Sequence, residues 1–177
     1  MAGQPLDFWT RLLRLPGFVV VHLEEESQPA RYCFTVVSEH RIGACPRCNK
    51  ASEEVRQTRT REQIVDLPIS GHAVELKIRV CQFQCERCEA AFTPAVPFLA
   101  EGAHATERFL GQAAALIRNS DVANVAKFYG VPEPTLARWY YDHLERRHAA
   151  NRTPPKPITR IGIDELSLKK NIECSSP

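Results

Sequence analysis

Two short cysteine motifs restrict this chain more than any other feature: CPRC, with Cys45 and Cys48, and CERC, with Cys85 and Cys88. In each motif a tight turn aims two sulfurs at one point. Four thiolates close a tetrahedral zinc site with no position left for water, so the expected cofactor is a structural Zn2+. The 36 residues between the pairs exceed an ordinary ribbon loop, so ordered chain has to span them. A polar strand from about Arg56 to Val65, a turn at DLPISGH and a returning strand supply it. In the returning strand Val74, Leu76, Ile78 and Val80 alternate with Glu75, Lys77 and Arg79, the two-residue period of a half-buried strand. A redox pair is the competing reading. It places a CxxC at the start of a helix after a strand, which neither motif does.

The remaining three of the seven cysteines carry less. Cys81 reads as a small buried hydrophobe or a spare ligand, and Cys33 and Cys174 as ordinary thiols. His22, His40 and His72 have no partner at ligand spacing. Zinc in place of disulfides suits a reducing compartment, and no run approaches the ~20 apolar residues of a membrane span, so a cytoplasmic protein is expected. A net charge of +2 on 177 residues does not by itself select a polyanionic partner. Local charge is more pointed. Arg41, Arg47, Lys50, Arg56, Arg59, Arg61, Lys77 and Arg79 outnumber the acids around them on the hairpin, which suits a phosphate backbone and equally a solvated face.

Around this module the spacing predicts an amphipathic helix over Leu6 to Leu15, two strands at FVVVHLEE and RYCFTVV, and three later helices. Thr106 caps the first of these, Ser120-Asp121 the second, and the third runs from Pro134 to Arg147. DVANVAKFYGVPEPTLARWYYDHLERR fits a helix-turn-helix: Ala126 where the helices cross, Gly130 in the turn, and Val125, Val131, Leu136 and Trp139 beneath. The last helix then turns Glu133, Thr135, Arg138 and Tyr141 outward. Arg138 is the candidate base-edge contact, Thr135 and Tyr141 flank it, and Arg146 and Arg147 are candidate phosphate contacts. A plain helical hairpin packed on the zinc module uses the same apolar residues.

The order of parts resembles the ISL3 group of insertion-sequence transposases, DDE-type enzymes with a zinc-binding domain, a helix-turn-helix and an RNase H-like catalytic core. The matching text is FWTRLLRLPGFVVVHL, the two knuckles with REQIVDLPISGHAVELKIRVCQFQC and AFTPAVP, the helical stretch, and GIDELSLKK. The resemblance implies that Asp164 is the first metal-binding carboxylate of the catalytic core. It also implies Mg2+ as the cofactor of a complete core. After Lys170 the text reads NIECSSP, without a second aspartate and distant glutamate, so a catalytically incomplete chain is expected. Asp164 and Glu165 are strand neighbours on opposite faces and do not make a two-metal pair.

The expected fold is α+β. Residues 1–40 form a helix and hairpin, 41–97 a zinc-binding β module, 98–150 a helix-turn-helix domain, 151–160 a Pro-rich linker and 161–177 an orphan strand opening the core. The expected function is recognition of the terminal inverted repeats of an insertion sequence. Double-stranded DNA is the expected partner, with a homo-oligomer as a second. The rival readings are a subunit completed by a separately encoded catalytic half, and a zinc-dependent regulatory module.

Overall fold

The computed structural model of the chain describes residues 4–150. The linker expected at 151–160, the strand expected at 161–177 and Asp164 lie outside the described residues. The described elements, in chain order, are α1 (Gln4–Leu13), β1 (Phe18–Ser27), β2 (Ala30–Ser38), β3 (Gly43–Ala44), β4 (Ala51–Ser52), β5 (Val55–Ile69), β6 (His72–Gln84), β7 (Ala91–Phe92), α2 (Glu107–Ile117), α3 (Val122–Tyr129) and α4 (Glu133–Ala150). The α+β class holds, with a cysteine-bearing β module followed by helices.

One sheet, in the order β1-β2-β6-β5, carries β7 at the far end of β6. The alternation read in β6 decides its packing: Val74, Leu76, Ile78 and Val80 are buried. The parallel register sets Phe34 opposite Leu76 and Val36 opposite Ile78, so both strands present their apolar residues on one face. That face is covered by α1 and by Val96 and Phe98 from the segment after β7. Trp9 lies 5.1 Å from Phe34, ring centre to ring centre, and Phe18 meets Phe98 edge-on at 5.1 Å. Each fully buried side chain in this layer contributes roughly 1.5–3 kcal/mol through removal from water. The sheet therefore unites residues expected in two segments, 1–40 and 41–97.

Helix α1 ends at Leu13, earlier than its apolar spacing predicts, because Arg14 takes a left-handed conformation (φ 47°) and frees Leu15 to pack inward. The Val20 N–H donates to Thr10 Oγ1 at 2.9 Å and ties the helix to β1.

The turn predicted over DLPISGH is shorter in the structure. Only Ser70 and Gly71 turn, and Asp66 to Ile69 remain in β5 through a register shift. Asp66, Pro68, Ser70 and Gly71 all favour turns, which is why the stretch reads as one. Asp66 instead faces inward, buried, and becomes the joint to the helices. Its carboxylate accepts from Thr106 Oγ1 at 2.7 Å and Arg108 Nε at 2.7 Å, and a second Arg108 nitrogen donates to the other oxygen. The remaining Arg108 amine donates to the Leu13 carbonyl at 2.6 Å. Backbone bonds between Val65 and both His104 and Thr106 complete the seam.

The helices form as their caps predict. Thr106 accepts the Phe109 N–H at 3.2 Å while donating to Asp66, and Asp121 accepts the Asn124 N–H at 2.7 Å. Gly130 closes α3 at φ 67°. Ala126, Val125, Val131, Leu136 and Trp139 are buried with Phe109, Leu110, Ala113 and Ile117 of α2, the arrangement predicted for a helix-turn-helix.

Replacing Arg108 with Ala removes the guanidinium from a carboxylate that keeps one hydroxyl donor, and, because Arg108 is itself partly exposed, admits water beside it. Urea unfolding is expected to show a loss of about 1–3 kcal/mol. The double variant R108A/D66N, which removes the stranded charge, is expected to regain a measurable part of it.

Candidate metal centre and nucleic-acid interface

The two cysteine knuckles are built alike. The first sits between the paired strands β3 and β4, and the second between the end of β6 and β7, where Phe83 pairs with Phe92. In the first, the Cys45 N–H donates to the Lys50 carbonyl at 2.9 Å and the Asn49 N–H to the Cys45 carbonyl at 2.8 Å. In the second, Cys85 and Ala90 are joined at 2.9 Å, and the Glu89 N–H reaches the Cys85 carbonyl at 2.8 Å. Asn49 and Glu89 hold equivalent left-handed positions, at φ 56° and 54°. Gly43 is required by a close approach: a Cβ there would lie 2.9 Å from atoms of both Phe83 and Phe92, the stacked rings beneath the cysteines.

Cys45, Cys48, Cys85 and Cys88 converge so that all four sulfurs lie within 4.8 Å of one another. The Cys45–Cys88 and Cys48–Cys85 sulfurs are each 3.5 Å apart. A zinc tetrahedron with Zn–S bonds of about 2.3 Å has edges of about 3.8 Å, so the four donors fit that ion with only small adjustment. The knuckle backbone favours the bound form. The Cys88 N–H, then that of Arg87 against the effect of burial, draws the Cys85 thiol down to about 6. Cys45 is lowered too: burial opposes this, but the N–H groups of Arg47 and Cys48 outweigh it. Cys88 moves the other way, to about 11. The Ala90 N–H favours its thiolate, but the Cys45 sulfur, burial and the remaining sulfurs prevail. A cation of charge two at the centre removes that mutual penalty.

On α4 the buried residues Leu136, Trp139 and His143 define the inward face. Arg138, Tyr141 and Arg147 are exposed and Thr135 is half-buried. Pro134, Arg138, Tyr141 and Glu145 form one outward stripe at helical spacing, so an acid closes the stripe at its C-terminal end. Arg146 is half-buried at the border of the inward face, on the Thr135 side. A Cβ on Gly102 would lie 3.5 Å from one of its terminal nitrogens, so its guanidinium rests against the loop preceding α2. Thr135, Arg138 and Tyr141 are thus grouped, Arg146 lies on the Thr135 side of the helix, and Arg147, nine residues after Arg138, is exposed on the opposite side of the helix from it. The Asp66–Arg108 joint was not read from the sequence. Its one local signal is an aspartate in a strand whose neighbours are apolar.

Residues 41–88 match the zinc-finger of transposase IS204/IS1001/IS1096/IS1165, and residues 94–144 match the helix-turn-helix domain of transposase family ISL3. The chain carries the zinc-finger and helix-turn-helix domains of ISL3-family transposases. The ISL3 zinc-finger match ends on Cys88, and the helix-turn-helix match takes in the loop before α2 as well as α2, α3 and most of α4. The chain is also similar to the transposase for insertion sequence element IS1001 of Bordetella parapertussis, at 23% identity over 155 residues. That alignment covers 87% of this chain and 37% of the relative, so the chain spans well under half of the relative's length. No solved structure matches it. No helix of the described residues is long and apolar enough to cross a membrane.

The protein is expected to bind one equivalent of Zn2+, and Co2+ in its place should give thiolate charge-transfer absorption. Since all four ligands must be deprotonated, metal affinity falls as pH falls. Titration with a chromogenic chelator should therefore show release advancing from the acid side, and C85S should lose the metal at neutral pH.

Proposed function

We propose that this chain is the DNA-gripping part of a transposase, and that it recognises the terminal inverted repeats of an insertion sequence. The observation that carries this reading is the outward stripe of α4. Arg138 and Tyr141 stand exposed on a helix held by α3 and a left-handed Gly130, within a segment similar to the ISL3 helix-turn-helix. A helix so mounted enters the major groove with its first turns foremost. Arg138 donates to guanine O6 and N7, and Thr135 and Tyr141 contact the neighbouring backbone or bases. Arg147, expected as a phosphate contact, points from the opposite side of the helix and takes no part in this contact. Arg146 contributes by bracing the loop at Gly102 as well as by its charge.

Zinc in this reading is structural. Four cysteine ligands leave no open coordination position, and the ion would join two knuckles that are linked besides by the Phe83–Phe92 stack, the Gln84 N–H bond to the Glu54 carbonyl at 2.9 Å and the Lys50–Glu86 ion pair at 3.5 Å. Catalysis belongs to the whole transposase. There Asp164 would supply the first of the carboxylates that hold Mg2+.

Selection from a random duplex pool, with the repeats flanking the gene as a second probe, tests the proposal. The native chain should enrich one motif present in those repeats. Arg138→Ala should lose about 1–3 kcal/mol of discrimination at one base pair, and Arg138→Lys should not restore it. Equal weakening on every sequence would remove Arg138 from the reading head. Failure to enrich any motif would overturn the function.

A further inference from the structure

The free half of β5 offers a second cationic surface. From Val55 to Arg61 the strand reads VRQTRTR, with three arginines and no acid, and residues 55–63 are all exposed. β5 is an edge strand, and among the described residues no strand pairs with its outer side. None of Arg56, Arg59 and Arg61 forms an ion pair among the described residues; the nearby pair is Lys77 with Glu62, at 2.8 Å. A register shift between Arg61 and Ile64, with Gln63 at φ 56°, divides this half from the buried half that carries Ile64 and Asp66. Bulges of this kind re-aim side chains where a strand changes role.

Position connects the surface to the helices. Arg61 lines an open cleft of about 490 Å³ with Glu101, Gly102 and His104, and a Cβ on Gly102 would lie 3.5 Å from a guanidinium nitrogen of Arg146 of α4. Arg61 of β5 and Arg146 of α4 therefore border one loop, with Arg59 and Arg56 leading away from it along the strand. Glu101 is the acid in that cleft.

We infer that Arg56, Arg59 and Arg61 form a second duplex contact, which grips the phosphate backbone beside the segment read by α4. The contact is to phosphate alone and adds affinity without sequence preference. It rests on the reading that the chain binds duplex DNA, and it assigns the zinc-bearing sheet a direct share in the grip.

The test measures binding of a labelled random-sequence duplex by anisotropy over a range of salt concentration, for the native chain, R56Q/R59Q/R61Q and R56K/R59K/R61K. The glutamine variant should lower the slope of log K against log salt by on the order of 2–3 and weaken low-salt binding roughly tenfold or more. The ratio of affinities for selected and random duplex should not change, and the lysine variant should keep the native slope. Circular dichroism and gel filtration check that the fold and the edge remain intact. An unchanged slope in the glutamine variant, while Arg138→Ala still loses discrimination, would overturn this inference alone. The same unchanged slope with new self-association would instead assign the arginines to protecting the sheet edge, and would also overturn it. If the native chain binds no duplex, both readings fall.

Discussion

The Asp66 carboxylate holds the molecule together at the point where its parts meet. It is buried on β5, accepts from Thr106 and Arg108, and through Arg108 reaches the carbonyl at the end of α1. One charge thus touches the sheet, the helix that covers the sheet and the cap of the first helix in the helix-turn-helix segment. Asp66 is buried while Arg108 reaches the surface, so the joint selects one arrangement through the carboxylate: a competing packing that buries Asp66 without its donors leaves it in a medium that solvates it poorly. The apolar layers supply attraction without direction, and the joint supplies direction.

Around that joint the molecule uses two different means of holding short elements. The helices have a core of their own, from Phe109 to Trp139, with Thr106 and Asp121 capping the starts of α2 and α3 and Gly130 closing α3. The knuckle strands are two residues long and bury little beyond Phe83, Phe92 and the cysteines. Elements so short do not exclude enough water to fold by burial alone, which is the situation in which a metal replaces a core. The repeated hydrogen bonds of the two knuckles, down to the left-handed residue after each second cysteine, aim two pairs of sulfurs at one centre from two separate pieces of chain.

Much of this was legible locally. The CxxC pairs, the alternation in β6, the caps Thr106 and Asp121 and the turn glycine Gly130 each act within a few residues, so spacing alone reveals them. Direction over longer distances was not legible. Asp66 sits among turn-formers and was read as part of a turn, although its partners lie 40 and 42 residues away. Arg146 and Arg147 are adjacent basic residues that read alike as phosphate contacts. The helix period places them on different faces, and only the loop at Gly102 shows that one of them is occupied.

By itself the sequence determined the chemistry and the periods: four thiolates for one ion, a strand with one apolar face, and a helix pair closed by a glycine. These follow from side-chain type and from backbone repeats of two and 3.6 residues, which need no distant partner. Tertiary structure alone decided that β2 lies parallel to β6, that the zinc-bearing hairpin shares its sheet with the first strands, and that a buried carboxylate couples this sheet to the helices. Those choices depend on which surfaces remain after local structure has formed, and a buried charge accepts only the arrangement that supplies its counter-ion.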